Sequence, residues 1–164
     1  MAPYLEPAAW HASLPGVVVA AAALIDDAHD RLLIVKPNYR DHWSLPGGVC
    51  EFRESPHDGC AREVAEELGL SLPVGRLLAV DWQYPMPQYG PTGRPAVFFL
   101  FDGGTLPVGA EVTLQEEELD DWRFAARDEL AGYLPDLMLP RVRAALAAQP
   151  TGCPRYVPAP APQS

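Results

Sequence analysis

Positive charge is what this chain has least of. Its 164 residues hold 12 Lys and Arg against 22 Asp and Glu, a formal net charge of −10. That balance argues against nucleic acid as the main partner, since phosphate backbones are gripped through basic surfaces. It leaves a small polyphosphate open, because metal ions can bridge two anions. Cysteine is scarce as well. Cys50, Cys60 and Cys153 are odd in number and lack CxxC spacing, which argues against a disulfide framework and for free thiols in a reducing cytosol. His11, His29, His42 and His57 are scattered and form no zinc pattern. Long apolar runs are missing too. Residues 16–25 are apolar, but no basic region precedes them and Asp26-Asp27 follows at once, so they are too short to span a bilayer and do not read as a targeting signal. The expectation is a cytoplasmic protein without nucleic-acid or membrane partners. With 48% hydrophobic and 21% charged residues, the chain fits one soluble domain large enough for a real core.

Residues 1–14, rich in Pro and Ala, read as an N-terminal arm, and residues 150–164, with Pro150, Pro154, Pro158, Pro160 and Pro162, as a flexible tail. Between them lies the domain, residues 15–149. A buried strand is expected over 16–25, a turn over 26–30 and a returning strand over 31–36. Two further strands are expected over 74–84 and 94–101, joined by the loop 85–93, with Asp102-Gly103-Gly104 ending the second. Acidic residues 111–121 lead into a short strand around Trp122-Arg123-Phe124, followed by helices over 126–133 and 137–149.

The most informative stretch lies between the two strand pairs. Ser55-Pro56-His57-Asp58 is a helix start, with Ser55 as cap and Pro56 at the first helical position, and Gly69 is the stop. Cys60, Ala61, Val64, Ala65 and Leu68 recur at helical spacing as one apolar face. Glu63, Glu66 and Glu67, at i, i+3 and i+4, emerge together on the opposite side. Like charges at that spacing disfavour an isolated helix by roughly 0.2–0.5 kcal/mol per pair. A hard divalent cation would reverse the sign, because carboxylate oxygens are its natural ligands. An ordinary solvated acidic face is the bland alternative. Ahead of the helix, Trp43-Ser44-Leu45-Pro46-Gly47-Gly48 should end a strand in a tight turn that lets backbone approach a ligand.

Read together, Gly48, Glu54, Arg62, Glu63, Val64, Glu66, Glu67, Gly69 and Leu70 resemble the complete signature of the Nudix hydrolases. The resemblance implies an α/β fold, the Nudix α/β/α sandwich with a mixed β-sheet, over roughly residues 15–148. It implies that the strand-loop-helix unit wraps a diphosphate and its metal ions, with Glu63, Glu66 and Glu67 as ligands of Mg²⁺ or, in its place, Mn²⁺. One of these, or a Glu outside the signature, would be the general base, and Arg62 with Glu54 would orient the catalytic helix. The bland reading of that pair is a surface ion pair worth about 0–1 kcal/mol. Gly47 and Gly48 would approach substrate. Arg53 stands where many members have Gly: either the loop takes another path or the guanidinium grips a phosphate, although a solvent-facing Arg is favoured.

The activity implied is hydrolysis of a nucleoside diphosphate linked to another moiety. Trp82, Tyr84 and Tyr89 offer stacking faces and Arg94 a phosphate contact, each with a core or surface reading beside it. Pro85, sixteen residues after Gly69, resembles the ADP-ribose branch and leans the choice toward ADP-ribose or an ADP-sugar over a nucleoside triphosphate. Glu116, Glu117 and Glu118 lie where some members place an extra ligand or base; a solvated acidic loop is the favoured reading. A non-catalytic nucleotide-binding or sensing domain is the alternative, and the resemblance also allows a homodimer.

Overall fold

The computed structural model describes residues 6–85 and 93–159. Strand β1 (Val18–Asp26) turns into β2 (Leu32–Pro37) through a loop tied by the Asp27 carboxylate, which accepts bonds from the backbone amides of His29 and Arg31, each at 2.9 Å. The two strands then splay, pairing only at Asp26 and Leu32. The returning chain fills the gap. Ser44 exchanges two backbone bonds with Val35, the Pro46 carbonyl accepts from the Ala23 amide, and β3 (Gly47–Val49) runs antiparallel to Ala20–Ala22 of β1. The segment expected to approach a ligand is thereby a strand wedged into the sheet.

Helix α2 (Pro56–Leu68) follows with the caps its sequence announces. The Ser55 hydroxyl accepts the Asp58 amide at 3.2 Å, and Gly69 ends the helix in the left-handed conformation at φ 65°. Then come β4 (Leu77–Gln83), β5 (Ala96–Thr105), β6 (Leu119–Ala125), a short α3 (Leu130–Tyr133) and α4 (Leu139–Ala148). The mixed sheet runs β6-β2-β1-β5-β4, with β1 and β5 parallel and β3 beside β1. On one face Cys60, Val64 and Leu68 of α2 pack on Ala21, Ala23, Ile25, Leu33, Val35 and Phe101. On the other, α3 and α4 bury Leu130, Leu139, Val142 and Ala145 against Leu24, Leu32, Ile34, Leu78 and Leu100. This is the α/β/α sandwich expected, because each strand alternates two apolar faces that both need cover. Of the expected apolar helix face, Ala65 is exposed and Ala61 half-buried.

Four local expectations need correction. The arm contains helix α1 (Pro7–Ser13), which buries none of its residues. Asp102-Gly103-Gly104 does not end β5. A Cβ on Gly103 would lie 2.6 Å from Ile25 Cγ1, so the glycine serves close packing inside the strand. The helix expected from residue 126 begins only at Leu130, because the 126–129 segment closes a turn in which the Glu129 amide bonds the Ala126 carbonyl at 3.0 Å. Finally, residues 155–157, placed in a flexible tail, form β7 (Arg155–Val157), which adds to the sheet parallel to β4. Gly152, at φ 69°, reverses the chain after α4, and Pro154 and Pro158 flank a strand at the sheet edge, where a missing N–H costs little. Expectations placed on Tyr89 and on Pro160 and Pro162 lie outside the described residues.

Candidate functional site

Arg62 is the centre of the site. Its Nε donates to Glu54 Oε1 at 2.9 Å and its Nη2 to Glu54 Oε2 at 3.1 Å, a bidentate fork. Its Nη1 donates to Glu63 Oε1 at 3.0 Å and Glu66 Oε2 at 2.8 Å, and Nη2 also reaches the Val49 carbonyl at 3.3 Å. One guanidinium thus joins β3, the following loop and two turns of α2. Hydrogen bonding to Arg62 holds the Glu54 carboxyl below its ordinary value. The Glu54 carboxylate, followed by those of Glu66 and Glu63, pushes Arg62 the other way. A loose surface pair would show none of this convergence.

Glu67 behaves differently. It is 7% exposed, and its Oε2 accepts the Gly47 amide at 2.8 Å. Burial pushes its carboxyl up to about 8; the Gly47 bond works against that rise, and the charges of Glu63, Glu118 and Glu66 add to it. Glu63 is also raised, chiefly by burial, with Arg62 opposing. Three glycines make this closeness feasible. A Cβ on Gly47, at φ 139°, would meet the Ala21 carbonyl oxygen at 2.2 Å, and one on Gly48 would meet Glu63 Oε1 at 2.5 Å. Gly59, within α2, leaves the room in which Glu54 approaches, since its Cβ would lie 2.9 Å from Glu54 Oε2. An interior helical glycine is unfavourable by roughly 1 kcal/mol relative to Ala, and that misfit is the signal in the sequence that could have singled Gly59 out.

The donor set is all carboxylate, which suits a hard divalent cation such as Mg²⁺. Glu63 and Glu66 are brought together across Arg62, whereas Glu67 turns to Gly47. Among the described residues no three acidic, His or Cys side chains converge as a ready cation cage. The fit to a cation therefore rests on donor chemistry, with Glu63 and Glu66 held side by side on Arg62 and Glu67 one turn away.

Arg53 has its backbone in the left-handed region at φ 72°, and its guanidinium lies 5.4 Å from the centre of the Phe52 ring. The loop keeps the backbone conformation that favours glycine, with an arginine accommodating it. Trp82 of β4 stands opposite Val97, which stands opposite Val19, so it lies on the α2 face of the sheet. Tyr84, 47% exposed, follows the end of that strand, and the Arg94 guanidinium lies against Gly16, whose Cβ would be 2.8 Å from Nη1. Among the described residues, none of Arg53, Trp82, Tyr84 and Arg94 makes a hydrogen bond to the carboxylate cluster. Of the three acidic residues at 116–118, Glu118 alone adds its charge to both Glu63 and Glu67. Its loop is stitched to the end of α2, with the Gln115 amide on the Glu67 carbonyl at 3.1 Å, and to the β2–β3 connection, with the Asn38 amide on the Glu118 carbonyl at 2.9 Å.

A family model described as NUDIX domain matches residues 16–148. A MutT-like protein of Streptomyces ambofaciens is 42% identical over 67 residues, 41% of this chain and 42% of that one, so the match spans less than half of the relative's length. The crystal structure of a MutT protein from Methanosarcina mazei Go1 superposes with a TM-score of 0.67 at 23% identity, covering 82% of this chain and 96% of that one. That of an ADP-ribose pyrophosphatase from Streptococcus suis 89-1591 superposes with a TM-score of 0.59 at 25% identity, covering 86% and 98%.

Proposed function

The chain belongs to the NUDIX domain family, and from that premise we propose that it is a metal-dependent hydrolase of the phosphoanhydride bond in a nucleoside diphosphate linked to another moiety. The observation that carries the proposal is the Arg62 hub. A single guanidinium orders Glu54, Glu63 and Glu66 while Glu67, one helical turn on, is held by the Gly47 amide. Glu63, Glu66 and Glu67 would hold Mg²⁺, or Mn²⁺ in its place, and the chemistry it supplies is neutralisation of the diphosphate and acidification of a water.

The chain's own residues have separable tasks in this reading. Gly47 and Gly48 keep side chains out of the space where a diphosphate approaches. Arg62 and Glu54 fix the rotation of α2, so Glu63 and Glu67 face the loop while Glu66 stays at the rim, exposed beside Arg62. A carboxylate takes the proton of the attacking water; Glu118, on the loop whose Gln115 amide bonds the Glu67 carbonyl at 3.1 Å, is the Glu outside the signature that we assign a share in that role. Trp82 offers a stacking face on the α2 side of the sheet.

ADP-ribose or an ADP-sugar is the favoured substrate, with a nucleoside triphosphate next. The Gly69-to-Pro85 spacing and the likeness to the Streptococcus suis protein support that order. The test is product analysis by mass spectrometry after incubation with ADP-ribose, ADP-sugars, nucleoside triphosphates, dinucleoside polyphosphates and NADH, with Mg²⁺, Mn²⁺ or chelator. Metal-dependent appearance of AMP from ADP-ribose is expected. Thermal stabilisation by one compound without any cleavage would replace the hydrolase by a binding module.

A further inference from the structure

Trp43 opens the segment that delivers Gly47 to Glu67, and it is gripped from outside that segment. Its amide donates to the carbonyl of Tyr133, the last residue of α3, at 3.2 Å. The two rings meet edge to face with centroids 5.8 Å apart. Arg123 of β6 completes the arrangement. Its guanidinium carbon lies 5.1 Å from the Trp43 ring centre and 5.4 Å from that of Tyr133, and its Nη1 donates to the Tyr133 hydroxyl at 2.9 Å. In a chain with a large excess of acid, Arg123 makes no ion pair among the described residues; it is spent on two aromatic faces.

The path from this cluster to the site is short and stiff. Ser44 is locked to Val35 by two backbone bonds of 2.9 Å, Leu45 is buried, and the Pro46 carbonyl receives the Ala23 amide at 2.9 Å. The next residue is Gly47, whose amide binds Glu67 Oε2. Any slide or rotation at Trp43 is passed along this strand-like segment, because its backbone is paired on both sides and cannot absorb the change locally.

We infer that Arg123 is a positioning residue: with Trp43 and Tyr133 it clamps the start of the glycine segment and so sets the Gly47 amide against Glu67. The consequence for turnover rests on the hydrolase reading above. The clamp requires the flat guanidinium, since a lysine ammonium keeps the charge but cannot lie against two rings and bond the phenol together.

Three variants separate the possibilities: Arg123→Ala, Arg123→Lys and Tyr133→Phe. Amide exchange at Gly47 in metal-free protein is read first. It should quicken about tenfold in both Arg123 variants, with the amides of β1 and β2 unchanged apart from Ala23 and Val35, which bond this segment. It should quicken less in Tyr133→Phe, which loses only the hydroxyl bond. On whichever compound the wild type cleaves, kcat should fall about tenfold in Arg123→Ala and Arg123→Lys with KM within about twofold. Wild-type exchange at Gly47 in a folded Arg123→Ala protein overturns the inference. So does exchange that quickens uniformly across the sheet, or full rescue by Arg123→Lys. If the wild type cleaves nothing, the hydrolase reading fails by itself, and exchange at Gly47 still decides the clamp.

Discussion

Glu67 carries a cost in the metal-free chain that can be measured. Its folded carboxyl is pushed to about 8 from an ordinary value of 4.5. A raised value means that the folded state holds the proton more tightly than the unfolded one. Its contribution to stability is therefore fully present below pH 4.5 and lost as pH rises to about 8. In chelator, Glu67→Gln should match the wild type near pH 4.5 and exceed it at pH 8 by roughly 4 kcal/mol in urea unfolding. Equal stability at both pH values would show that Glu67 is not held in this state. The neighbouring glycines should fail in opposite ways. Gly47→Ala would press a Cβ to 2.2 Å from a backbone oxygen at φ 139°, and it should cost about 2–3 kcal/mol of stability. Gly48→Ala meets instead the carboxylate end of Glu63, which can swing aside. Its stability should stay within about 1 kcal/mol of wild type while turnover is lost. Urea unfolding and a rate assay on the same preparations distinguish the two.

Among the elements, α2 was the most legible in sequence, because its two ends are set by local chemistry: a Ser-Pro start and a glycine stop act within a few residues. The central strands were legible for the same reason, being continuous apolar runs. What stayed hidden depends on contacts distant in sequence. Gly103 reads as a strand end until β1 is laid against it, and Arg155-Tyr156-Val157 reads as tail until β4 offers an edge. The Arg-Tyr-Val triplet after Gly152 was the only local hint of β7. Truncation after residue 150 should accordingly lower the melting temperature by about 2–5 °C; an unchanged value would mean that β7 contributes nothing to the sheet. Helix α4 hides a second non-local feature. Arg141 is buried, with Nη1 donating to Asp81 Oδ2 at 2.9 Å and its guanidinium 3.7 Å from the Phe98 ring centre. Burial raises the Asp81 carboxyl and lowers Arg141, so neither charge is comfortable without the other. Asp81→Ala should therefore cost about 3–5 kcal/mol by stranding the arginine, measurable by chemical unfolding.

At the scale of the whole molecule, the site exists because the sheet splits. β1 and β2 part after a single pairing, β3 enters between them, and α2 covers one face while α4 covers the other. Loop and helix pack in the cores on opposite faces of the sheet and are tied to each other directly, by the Gly47 amide on Glu67 and by Arg62 on the Val49 carbonyl. The family signature made the cluster legible; the division of labour within it was not, since Glu67 turns inward to Gly47 while Glu66 remains exposed with Arg62. Among the described residues no helix is long and apolar enough to cross a membrane. The central claim is that this acidic cluster hydrolyses a phosphoanhydride only with a divalent cation. Its most direct test is release of nucleoside monophosphate from the pooled nucleotide panel, by wild type and by Glu67→Gln, in Mg²⁺ and in chelator. The account predicts release by the wild type in Mg²⁺ alone, falling about a hundredfold or more in Glu67→Gln. Release that persists in chelator, or at the wild-type rate in Glu67→Gln, would contradict it.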